Sequence, residues 1–86
     1  MDTERLEEIF FETETDWTGD NAFKGLEIIK KYFPEKRVIS AAGHDIIYSV
    51  DVNELCEAGI TEEDAISLRK LNWMIKPDFE CLACFV

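Results

Sequence analysis

The sequence predicts an α+β domain in which helices pack on one face of a small antiparallel sheet, in the order α-α-β-β-α-β. Three observations carry that class. Apolar residues recur at helical spacing in the first third of the chain and again through Ala65, Leu68 and Leu71. The period falls to two between Arg37 and Val52. Residues 79–86 are apolar apart from Glu80, as expected of a strand inside a sheet.

The first helix is read over Thr3 to about Thr13. Leu6, Ile9 and Phe10 follow the i, i+3, i+4 spacing of an amphipathic helix, and Asp2 or Thr3 stands where a cap belongs. Glu4, Glu7 and Glu8 suit the positive end of the helix dipole. Residues 13–20 are turn-like, with Trp17 as their anchor. A second helix is expected from Asp20 to Pro34, with Ala22, Phe23, Leu26, Ile29 and Phe33 inward and Lys24, Glu27, Lys30 and Lys31 outward. Gly25 costs that helix ~1 kcal/mol relative to alanine, which points to a close contact there.

The next two elements form a hairpin. Arg37–Ala42 and Ile46–Val52 are the strands, and Ala42-Gly43-His44-Asp45 is the connection. On the return strand Ile46, Tyr48, Val50 and Val52 alternate with Ile47, Ser49 and Asp51, which predicts one well-packed face. Asn53–Gly59 reads as a short helical turn. Thr61-Glu62-Glu63-Asp64 is a strong helix start, with a threonine cap and an acid at the capping-box position. A short extra strand at Trp73, a turn at Lys76-Pro77-Asp78 and a final strand over Phe79–Val86 complete the reading. Residues 1–86 are read as one domain, with the acidic helix and turn of residues 1–20 at its periphery.

Charge constrains partners. The chain carries nine Lys and Arg against nineteen Asp and Glu, a formal charge of −10. Residues 1–20 hold eight acids and one base, whereas residues 21–50 hold three acids and five bases. Phosphate repels such a body, so direct nucleic-acid binding and anionic membranes are disfavoured, and basic partners are favoured. Neither an apolar run of membrane-spanning length nor a basic-then-apolar leader is present, so a cytoplasmic protein is expected.

Few motifs carry chemistry. Cys81-Leu82-Ala83-Cys84 has CxxC spacing, and Cys56 and His44 raise the ligand count to a Cys3His zinc set. The odd separation of Cys81 and Cys84 along a strand sends their side chains to opposite faces, which favours free, buried thiols over a metal site. His44-Asp45 has the composition of a dyad, but lacks the further ligands that a metal-dependent hydrolase needs; turn residues are the expected role. Phosphate-binding, dinucleotide and nucleophile-elbow glycine motifs are absent, as is a calcium loop. The sequence therefore predicts no catalytic constellation, no cofactor and no enzyme.

Glu7, Glu8, Glu12, Glu14 and Asp16, with Phe11 and Trp17 among them, are the candidate partner-binding residues. Aromatics are enriched at interface hot spots, and acids set out in a row favour a basic protein. Phe10 is assigned to the core. The leading reading is a protein-interaction module whose partner is a basic protein or a second copy of this chain, as in a homodimer. A second reading is an acidic inhibitor that imitates nucleic acid in the groove of a DNA- or RNA-binding protein. A third is a small zinc protein using Cys56, Cys81, Cys84 and His44.

Residues 22–86 also resemble a loose group of short, uncharacterised bacterial and phage proteins. The likeness rests on Leu26-Glu27-Ile28-Ile29-Lys30-Lys31-Tyr32, Ala42-Gly43-His44-Asp45-Ile46-Ile47-Tyr48, Glu62-Glu63-Asp64, Leu68-Arg69-Lys70-Leu71-Asn72-Trp73 and the closing Phe79–Val86. The resemblance implies no activity, cofactor or site. Similar chains often carry an aromatic at the position of Leu82 and lack both final-strand cysteines.

Overall fold

Capping chemistry sets the helix boundaries in the computed structural model, which describes residues 1–16 and 19–85. Helix α1 spans Thr3–Glu12 and is capped by the Asp2 carboxylate, which accepts from the Arg5 N–H at 2.9 Å. Helix α2 covers Asn21–Tyr32, with Asp20 at its N-cap position but making no side-chain cap bond. Helix α3 (Val52–Glu57) is capped by Asp51, and helix α4 (Glu62–Lys70) by Thr61.

The strands are β1 (Ala41–Gly43), β2 (Ile46–Asp51), β3 (Met74–Lys76) and β4 (Cys81–Phe85). They form one antiparallel sheet in the order β1-β2-β4-β3. The apolar strand β4 is interior, as its composition predicts. The fold is α+β with the expected order, the short turn at α3 and the short strand β3 included.

The helices cover one face of the sheet. Leu6, Ile9 and Phe10 of α1, Ile29 of α2, Leu55 of α3, and Ala65 and Leu68 of α4 share a core with Val50, Leu82 and Cys84. Helix α1 thus belongs to the packed unit and is not peripheral. Trp73 is the largest fully buried side chain among the described residues. Its indole lies against Gly25, where an added Cβ would fall inside the ring. The indole N–H donates to the Asn21 carbonyl at 2.9 Å, and the Asn21 amide donates to the Leu71 carbonyl at 2.6 Å.

This contact fixes the orientation of α2, with Ile29 in the core and Ala22, Leu26 and Phe33 packed against it as expected. Its buried residues are Asn21, Gly25 and Ile29, while Phe23 is exposed. The hairpin also differs from expectation. Gly43 pairs with Ile46 in the ladder, and the turn itself is His44-Asp45, with φ values of 50° and 67°. Two positive φ angles in a two-residue loop match the twist of the strands, and both residue types tolerate that region. The first strand is shorter than expected. Upstream of Ser40 the ladder gives way to hydroxyl bonds, the Ser49 side chain donating to the Val38 carbonyl.

The largest departure lies in β2. Tyr48 pairs with Ala83 and Asp51 with Cys81, so Ser49 and Val50 together oppose Leu82 alone. This bulge shifts the phase of the strand by one residue. Ile47 pairs with the core residue Cys84, which puts Ile46 and Tyr48 on the opposite, helix-free face. The four alternating apolar residues of the return strand therefore do not share one face.

Candidate interaction surfaces

Two surfaces stand out, and the first lies on α1. Its Leu6, Ile9 and Phe10 side faces the core, so the 3.6-residue period turns Glu4, Glu7, Glu8 and Phe11 outward as one stripe. Phe11 is 92% exposed at the C-terminal end of that stripe. Glu12, and Glu14 and Asp16 beyond the helix, are exposed as well. The Asp16 N–H donates to the Lys70 carbonyl at 2.7 Å, holding this segment against the end of α4. Trp17, the remaining expected partner-binding residue, lies outside the described residues.

Arg5 lies beside the acidic stripe. Its guanidinium makes two hydrogen bonds to the Glu62 carboxylate, at 2.9 and 3.0 Å, and approaches Glu8 at 3.7 Å. Those bonds hold the Glu62 carboxyl below its ordinary value. Glu4, Glu7 and Glu12 make no salt bridge among the described residues. The exposed face of α1 thus combines uncompensated carboxylates with one aromatic ring.

The second surface is on the helix-free face of the sheet, and sequence reasoning missed it. The bulge carries Tyr48 onto this face, where its ring meets Phe79 edge to face, with centroids 5.6 Å apart and planes at 81°. Beside this pair a groove of about 470 Å³ runs over Ala41 and Cys81. Lys36, Arg37, Asp51 and Glu54 line it as well. A signal was present in the sequence: Tyr48 and Phe79 add aromatic surface to a chain with too few helices to cover both faces.

The expected zinc ligands are dispersed. Cys84 joins the core beneath the helices, Cys81 lines the groove on the other face, Cys56 belongs to α3, and His44 is exposed in the hairpin turn. Among the described residues, no group of three or more His, Cys, Asp or Glu side chains gathers where a metal could be held. Burial pushes all three thiols up, with the Asp51 carboxylate adding to the effect at Cys81. His44 and Asp45 serve as the turn.

Among the described residues no helix is long and apolar enough to cross a membrane. Compared with models of protein families, with characterised proteins and with solved structures, the chain finds no match.

Proposed function

We propose that this chain is a non-enzymatic protein-interaction module that grips a basic protein with the outward face of α1. The observation that carries the reading is Phe11, 92% exposed amid the carboxylates of a helix whose opposite side completes the core. Burying a phenylalanine side chain releases about 1.5–3 kcal/mol, so a partner with an apolar pocket gains a true anchor there. The surrounding acids select a basic rim around that pocket and speed encounter with it. The protonated state that burial favours for the cysteine thiols supports a binding role over nucleophilic chemistry.

The test compares capture by the wild type, Phe11→Ala and Glu7→Lys/Glu8→Lys, each tagged and exposed to a lysate of the source cells. A basic protein retained by the wild type should fall at least about ten-fold with Phe11→Ala, the equivalent of ~1.4 kcal/mol. Indistinguishable yields from wild type and both variants would refute the reading. If capture instead depends on the acids and on low salt but not on Phe11, the face imitates nucleic acid.

A further inference from the structure

We infer that the groove on the helix-free face of the sheet is a binding site for a small amphipathic carboxylate, an aryl or alkyl acid with one negative charge. Its volume of about 470 Å³ falls within the range of small-molecule sites, which are mostly apolar with a few placed polar groups. The apolar part is the Tyr48–Phe79 pair over Ala41 and Cys81. An edge-to-face aromatic pair offers both a ring face and a ring edge to a flat or extended apolar body.

The charges at the groove decide the head group. Glu54 is ion-paired with Lys36. Asp51 is engaged as the cap of α3, accepting from the Asn53 and Glu54 N–H groups at 2.8 and 3.3 Å. Arg37 lines the same groove and has no hydrogen-bond or ion-pair partner among the described residues. Arg37 is thus the charged side chain lining the groove that no described protein group engages, whereas Lys36, Asp51 and Glu54 all have partners. A guanidinium matches a carboxylate with two parallel hydrogen bonds. The chain's net charge of −10 opposes a dianion more strongly than a monoanion, which favours a carboxylate over a phosphate monoester.

Amide chemical shifts of the full chain test the site, with 4-phenylbutyrate, 4-phenylbutylamine and 4-phenylbutanol as probes. The acid should give saturable shifts at Ala41, Tyr48 and Cys81, and bind at least about ten-fold more tightly than the amine. Arg37→Ala should abolish that preference and leave the alcohol unchanged. Arg37 is exposed, and the dispersion of the variant's spectrum reports whether the fold is intact. Absence of saturable shifts at millimolar acid, equal binding of acid and amine, or a preference that survives Arg37→Ala would each overturn the assignment. So would shifts at these residues that grow with protein concentration alone, since a second copy would then be the occupant.

Discussion

Gly25 and Trp73 show how one residue orients an element. Alanine is the better helix former by ~1 kcal/mol, so propensity alone makes Gly25→Ala stabilising. Packing reverses the sign, because the new methyl would fall inside the buried indole ring. Neither partner yields cheaply, since the indole is fully buried and its N–H is bonded to Asn21. Gly25→Ala should therefore destabilise by a net ~1–3 kcal/mol in urea unfolding followed by tryptophan fluorescence. A gain in stability would show that the helix and the ring are not in contact. The sequence announced this site through a glycine inside a helical pattern. It did not name the partner, which lies far along the chain, and so Phe23 was expected inside, where the structure leaves it exposed.

Between elements, the tie to examine joins α2 to the start of α4. Tyr32 donates to the Asp64 carboxylate and accepts from the Thr61 N–H at 3.2 Å, while Lys31 donates to Asp64 at 3.0 Å. The capping-box acid therefore reaches across to another helix, and a tyrosine hydroxyl bonds the cap residue's N–H. Burial works against the charged form of Asp64, but the bonds from Tyr32 and Lys31 outweigh it and hold its carboxyl below the usual value. A folded-state pKa below the unfolded one adds stability that is present above the unfolded value. That stability is lost as pH falls through the folded one. The unfolded value lies near pH 4, so the loss belongs to the acid side of that point. Wild type should lose stability more steeply than Asp64→Asn on descending below roughly pH 4, as urea titrations at stepped pH would show. Parallel profiles would mean that Asp64 is no more stabilised in the folded chain than in the unfolded one. Helix starts of this kind were legible because caps are local; the cross-helix use of Asp64 was not, because it depends on packing.

At the scale of the molecule, one irregularity organises both faces of the sheet. Strict alternation along Ile46–Val52 predicts a single packed side, and the bulge at Ser49–Val50 divides it, leaving Val50 in the core and Tyr48 outside. A bulge adds one unpaired residue and leaves no mark in a polar–apolar pattern, so the fold class was readable and the open groove was not. The acids of α1 were readable as a row of carboxylates, whereas Phe11 reads from the sequence as widening the apolar side of the helix, and it is the structure that turns its ring outward.

Charge acts on this whole body as well. Nineteen acids face nine bases, and the four salt bridges among the described residues lie largely at the surface. Exposed pairs contribute little, about 0–1 kcal/mol each, whereas like-charge repulsion is summed over the compact state and relieved on unfolding. Salt screens both, but the repulsion is the larger sum in a chain of net charge −10. Raising sodium chloride from low to physiological concentration should therefore raise the thermal midpoint. Glu7→Gln/Glu8→Gln should raise it at low salt and show a smaller response to added salt. A midpoint that falls with salt would mean that ion pairs such as Arg5–Glu62 outweigh the repulsion. The paired carboxylates, Glu62 and Glu54 among them, would then set the salt response, and the unpaired ones of α1 would add little to it.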